Sequence, residues 1–305
     1  MSWTVAEIPD LTGRRALVTG VTSGLGEVTA RELARAGAEV VLAARNREKL
    51  DDTVTALEQA VPGARLVPVV LDLADLASVR RAAAAAAALG ALDILVNNAG
   101  VMATPEERTV DGFELQMGTN HFGHFALTGL LLDALVASGD ARVVTVSSLM
   151  ARTVRSVSLG DPRAEHGRYR RWGSYGESKL ANLLFTFELD RRMEGRPVTA
   201  VAAHPGYTRT NLVDNGMNRG RRRLDGAIGV AVTALVGQGA EQGATPQLRA
   251  AVEPGLTGGS YVGPGGPFEL HGAARVVRPP KAAQDAELAA ALWTLSETVT
   301  AVTFP

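Results

Sequence analysis

The sequence predicts an α/β protein: one domain built on a doubly wound parallel sheet with helices on both faces. Two patterns carry this reading. Between residues 15 and 98 a short β-branched apolar run, a turn and a longer stretch of helical spacing recur in order. The runs are continuous rather than alternating in polarity, as strands covered on both faces are. With 305 residues, 46% hydrophobic and 21% charged, the chain can bury such a core, and disordered or collagen-like classes are excluded.

Ala16-Leu17-Val18 begins the series, followed by a glycine-rich turn and a helix through about Ala36 that Gly37 ends. Glu39-Val40-Val41-Leu42-Ala43 is the second strand, and a helix from about 47 to 60 and a strand at 65–71 come next. The alanine-rich stretch 76–89 reads as a helix, because alanine is the best helix former and packs closely on a sheet. Asp93-Ile94-Leu95-Val96 is the fourth strand, a long helix covers 120–137, and Arg142 to Val146 makes a fifth strand. A helix from about 175 to 193 and a strand at 198–203 continue the alternation. Residues 211–259 then change character to a Gly- and Arg-rich stretch followed by apolar helical material, read as a lid insertion within the single domain 1–305. Tyr261-Val262-Gly263-Pro264-Gly265 is a last strand and turn, and residues 285–300 a final helix.

Lys and Arg number 31 against 32 Asp and Glu, a net charge of -1, so no overall positive field exists to hold nucleic acid or an anionic membrane. Arg219, Arg221, Arg222 and Arg223 read as a solvated lid edge. The absence of cysteine excludes thiolate nucleophiles, disulfides and Cys-based metal centres, so redox chemistry needs a bound cofactor. The first residues have no basic segment leading into an apolar core, and the longest apolar stretches fall short of the ~20 residues of a membrane span. The expectation is a soluble, cytoplasmic protein without a membrane span.

Thr19-Gly20-Val21-Thr22-Ser23-Gly24-Leu25-Gly26 lies between the first strand and first helix. Glycine permits the turn and the close approach of a diphosphate, and the helix N-terminus offers free N–H groups, so Gly20, Thr22, Ser23, Gly24, Leu25 and Gly26 are candidate phosphate contacts. A tight glycine turn without a ligand has the same pattern. Glu27 stands where a triphosphate-binding loop needs lysine. At the end of the second strand Arg45-Asn46 replaces the acid that would bond an adenosine ribose, and a guanidinium suits a 2′-phosphate, which favours NADP(H) over NAD(H). An exposed turn arginine is the bland alternative.

Asp72-Leu73 and Asn97-Asn98-Ala99-Gly100 follow the third and fourth strands, where such folds place ligands, though singly they also suit a helix cap and a turn. Tyr175 and Lys179 are four apart and share a helix face. A free Tyr titrates near ~10, so acid–base work at neutral pH needs its anion stabilised, which a neighbouring Lys179 and an oxidised nicotinamide can do, while a helix turn with an ordinary exposed lysine has the same pattern. Ser147-Ser148 ends the fifth strand, where a hydroxyl can hold a carbonyl oxygen or cap the next turn. Asn120 is a polar residue on a helix, and His121 and His124 read as ordinary partly buried histidines rather than metal ligands.

Together T-G-x-x-x-G-x-G, N-N-A-G, Asn120, Ser148 and Tyr175-Gly176-Glu177-Ser178-Lys179, in this order, resemble the short-chain dehydrogenase/reductase family, and the combination is highly specific. Tyr175 to Thr186, His204-Pro205-Gly206 and Tyr261-Val262-Gly263-Pro264 look like its retinol dehydrogenase-like and protochlorophyllide reductase-like branch. The resemblance runs from about Gly13 to the C-terminal helix and implies a Rossmann sheet. It implies that Tyr175 is the acid/base, that Lys179 lowers its pKa and binds the nicotinamide ribose, that Ser148 orients the substrate oxygen, and that Asn120 completes a proton relay. It further implies that Asn98, Ala99 and Gly100 line the adenosine side, with Asp72 and Leu73 near the adenine. Pro205, Gly206, Thr208 and Thr210 match the segment that closes over the carboxamide. Ser148 and Tyr175 are 27 positions apart, a lengthening typical of the retinol dehydrogenase-like branch. No hydrophobic anchor precedes the glycine turn, which implies a soluble relative.

The function expected is hydride transfer between NADP(H) and a carbonyl or alcohol of a hydrophobic small molecule, in a homodimer or homotetramer. Two rivals keep the fold: a catalytically silent dinucleotide-binding regulator, and a relative recruited to a non-redox biosynthetic step. A hydrolase lacks its G-x-S-x-G elbow.

Overall fold

The structure is a computed structural model and describes residues 3–160, 162, 169–208 and 238–304. Thr210 and the basic cluster at 219–223 lie outside the described residues. Eight strands form one sheet: β1 (Arg15–Thr19), β2 (Glu39–Ala44), β3 (Arg65–Val70), β4 (Ile94–Asn97), β5 (Ala141–Val146), β6 (Val198–Ala203), β7 (Tyr261–Pro264) and β8 (Ala274–Val276). Their order is β3-β2-β1-β4-β5-β6-β7-β8. The first seven are parallel, in register from Arg15 opposite Glu39 to Ala203 opposite Val262, and β8 pairs antiparallel with β7. The order reverses between β1 and β4, which opens a crevice at the C-terminal ends of those strands.

Successive strand side chains point to opposite faces, and each face is covered by helices. Ala16, Val18, Val40, Leu42, Val96 and Val144 face one side, packed beneath α1 (Gly24–Arg35), α2 (Arg47–Ala60) and α8 (Ala240–Val252). Leu17, Val41, Leu95 and Val143 face the other, against α3 (Leu76–Ala87), α5 (Gly123–Leu130), α6 (Leu132–Ala137) and α7 (Arg171–Arg192). The last helix, α9 (Ala286–Thr300), packs on α7, where Trp293 stacks on Phe185 with ring centres 5.8 Å apart.

Two differences from the sequence reading stand out. The helix expected over 120–137 starts earlier, at α4 (Leu115–Met117), and passes through a π-helical turn, Gly118–Phe122, before α5. Helix α7 begins one turn before Tyr175, at Arg171. Of the stretch 211–259 only residues from Gln238 on are described, and there the expected apolar helical material is α8, which packs on α1 with Ala244, Leu248 and Ala250 fully buried.

Candidate active site

Parallel strands bring the predicted motifs to one edge of the sheet, each leaving the C-terminal end of its strand. Gly20 (φ +75°) and Gly24 (φ +64°) take left-handed backbone that glycine accepts freely. A Cβ on Gly26 would lie 2.2 Å from the Gly20 carbonyl oxygen and 2.6 Å from Asn98 Nδ2, so nothing larger fits. Ser23, the N-cap of α1, makes no side-chain cap bond, which leaves the first-turn N–H groups of Gly24, Leu25 and Gly26 open toward an anion. Thr22 lies in the same turn.

The turn is locked to the N-N-A-G segment. Thr19 Oγ1 accepts from Asn98 N at 3.0 Å and Ala99 N at 2.9 Å, and Asn98 Nδ2 donates to Thr19 O at 2.8 Å. Gln247 on α8, which the sequence reading did not single out, donates to Thr29 Oγ1 at 2.6 Å and to Asn98 Oδ1 at 3.2 Å. Arg45 extends exposed from the end of β2, with no ion pair among the described residues. Asn46 caps α2 by accepting from Lys49 N at 2.9 Å, and Asp72 accepts from Ala74 N at 2.9 Å, so both carry local structure at the ligand edge. Leu73 is buried, its carbonyl 2.5 Å from where a Cβ on Gly123 would stand.

Catalytic candidates converge on α7. Lys179 Nζ lies 5.9 Å from the Tyr175 ring centre and donates to Val146 O at 3.0 Å. Ser148 lies close to the Tyr175 phenol and opens the 3-10 turn Leu149–Thr153 by accepting from Met150 N at 3.2 Å. Neighbouring Ser147 instead donates to Lys179 O at 2.7 Å and is structural. Asn120 uses its whole amide: Nδ2 donates to Val101 O and Ser178 Oγ, both at 2.9 Å, and Oδ1 accepts from Val101 N at 2.8 Å. Asn120 thereby fastens the segment after Gly100 to α7, at the π-helical turn, a feature that often marks functional sites. A Cβ on Gly100 would come within 3.0 Å of Asn120 Oδ1 and 3.5 Å of Lys179 Nζ.

His121 and His124 are fully enclosed rather than partly buried. His124 Nδ1 meets the Asn120 carbonyl at 3.0 Å and its Nε2 meets Thr19 Oγ1 at 3.0 Å, so it joins the phosphate turn to the catalytic helix. At the end of β6, Gly206 N donates to His204 Nδ1 at 3.2 Å, and Thr208 Oγ1 donates to Pro205 O at 2.9 Å.

Burial decides the electrostatics. Desolvation pushes the Tyr175 phenol up to about 12, with nearby Ser148 opposing, and pushes the Lys179 ammonium down to about 8. Among the described residues Lys179 has no carboxylate partner, and one of its three N–H groups is used on Val146. These features fit a dinucleotide: open helix N–H groups for the diphosphate, an unpaired arginine at the ribose edge, and a buried ammonium with donors left for ribose hydroxyls.

Sheet order and the glycine turn at the strand ends together define an α/β fold of the doubly wound, dinucleotide-binding class. Residues 14–160 match the short chain dehydrogenase family. Retinol dehydrogenase 14 of Mus musculus is 43% identical over 211 residues, covering 66% of this chain and 63% of its own length, so this chain spans less than two thirds of that relative. Polyprenol dehydrogenase of Mus musculus is 40% identical over 297 residues, 94% of this chain and 83% of its own. A crystal structure of an uncharacterized protein from Mycobacterium paratuberculosis is 44% identical, with both chains covered fully and a TM-score of 0.82. The chain belongs to the short-chain dehydrogenase/reductase family, in its retinol dehydrogenase-like branch, and the family binds a nicotinamide cofactor. Among the described residues no helix is long and apolar enough to cross a membrane.

Proposed function

We propose that the chain is an NADP(H)-dependent oxidoreductase, cytoplasmic and a homodimer or homotetramer, that interconverts a carbonyl and an alcohol on an apolar small molecule. The observation that carries it is the buried Lys179 ammonium against the Tyr175 ring, with Ser148 near the same phenol and no acid beside the lysine among the described residues. When bound, NADPH supplies the hydride. Ser148 holds the carbonyl oxygen, and the Tyr175 Oη–H gives its proton to that oxygen as negative charge develops there. A phenol held at about 12 keeps this proton at neutral pH. Lys179, on the same helix face, offsets the charge left on the phenolate until solvent returns the proton.

Two relatives named for apolar alcohols, retinol and polyprenol, support the substrate class. The test is NADPH consumption by the purified chain against aliphatic, aromatic and isoprenoid carbonyls. Tight NADPH binding without turnover of any would transfer the weight to the non-redox reading.

Arg45 supports the choice of NADP(H). Replacing it by Asp is expected to weaken NADPH binding by about 10- to 100-fold, the range of a charge-assisted hydrogen-bonded pair, while NADH changes little. Fluorescence titration with both cofactors checks this, and equal losses would remove the 2′-phosphate argument.

A further inference from the structure

Among the described residues the exposed large apolar side chains are scattered valines and three aromatics, Trp172, Tyr207 and Phe268. All three aromatics lie on segments that build the candidate site. Trp172 precedes Tyr175 by one helical turn, with the rings edge-on and 6.4 Å apart. Tyr207 follows Pro205-Gly206, and Phe268, 88% exposed, stands on the turn after β7.

That turn is built at a cost. Phe268 (φ +53°) and Glu269 (φ +58°) are consecutive side-chain-bearing residues in left-handed backbone, which persists only where surrounding contacts enforce it, and such strain clusters at ligand clamps. The enforcing contacts reach both walls of the site. Arg152, in the turn that Ser148 opens, donates to both Glu269 oxygens at 2.9 Å. His204 Nε2 meets Glu269 Oε2 at 3.1 Å while its Nδ1 holds Gly206 N. Tyr207 N donates to Leu270 O at 2.8 Å, and a Cβ on Gly206 would strike that carbonyl at 2.5 Å.

We infer that the Phe268–Glu269 turn is the specificity-determining wall of the substrate site: Glu269 anchors it to the Ser148 turn and to His204, and Phe268, with Trp172, receives the apolar part of the substrate. The inference rests on the function proposed above and adds which residues select the substrate. The occupant follows from chemistry, since Phe268 is a solvated apolar side chain next to Glu269, which is tied to the turn that Ser148 opens, and an apolar chain extending outward from that turn would cover it.

The test compares dodecanal and propanal as substrates of the full chain at saturating NADPH, with Phe268→Ser and Phe268→Leu beside it. Phe268→Ser is expected to lower kcat/KM for dodecanal by about 10- to 100-fold, through KM, as the burial of one large apolar side chain predicts. Propanal should lose less than about threefold, and Phe268→Leu should restore most of the dodecanal activity. Equal loss for both aldehydes, no loss for either, or dissociation of an oligomer in place of a change in KM would overturn the inference alone. No turnover of either aldehyde by the unaltered chain would count against the proposed function and remove the inference with it.

Discussion

Tyr175→Phe is expected to lower turnover by about 10²- to 10⁴-fold, the range that one positioned general acid contributes. The substitution is close to isosteric. It keeps the ring beside Trp172 and near Lys179, and removes only the hydroxyl close to Ser148. NADPH affinity should therefore change little, because the glycine turn, Arg45 and the Lys179 ammonium remain. Steady-state rates at saturating NADPH, read beside a cofactor titration, separate the two quantities. Most of the turnover surviving with binding intact would show that the proton comes from another group, with Ser148 the nearest. A fall in both would mean that the phenol has a part in binding, which its geometry does not require.

The sheet is legible in the sequence because each strand is a short continuous apolar run closed by a turn, and the site because its motifs sit where those runs end. What is not legible depends on partners far along the chain. The Thr119-Asn120-His121 stretch reads as plain helix, and its π-helical turn is understood only once Val101 and Ser178, 19 and 58 positions away, are seen to saturate the Asn120 amide. Gln247 joins Asn98 across 149 positions, a contact that no local pattern announces. Glu269 carries no motif, and only the folded chain brings Arg152 and His204 to it. Asp72 and Asn46 show the opposite case, since the local bonds that such residues make in turns and caps are the ones the structure contains.

Acid is expected to destabilise the chain through its buried histidines before most of its carboxylates are protonated. Enclosure pushes His121 down to about 3 and His124 down to about 4, and His204 is lowered for the same reason despite Glu269 and with Arg152 nearby. Around His124, Lys179 adds a second like charge to the desolvation. An unfolded histidine titrates near ~6.5, so below that pH the unfolded chain binds protons that the folded chain excludes. Their stabilising contribution is complete above about pH 6.5 and drains away as pH falls toward the folded values. Between about pH 6.5 and 4.5 the denaturation free energy should thus fall with a slope approaching two protons from His121 and His124, or about 3 kcal/mol per pH unit where both are charged in the unfolded state, with His204 acting in the same direction. A domain holds only about 5–15 kcal/mol in total, so a loss of about 4 kcal/mol by pH 5 takes a large share of it. Urea denaturation across this range measures the slope. His121→Gln, whose amide can still donate to Ser296 in place of the ring bond at 2.9 Å, should reduce it by one proton. An unchanged slope in that variant would mean that His121 is charged in the folded protein, contrary to its enclosure among Phe122, Phe125 and Phe185.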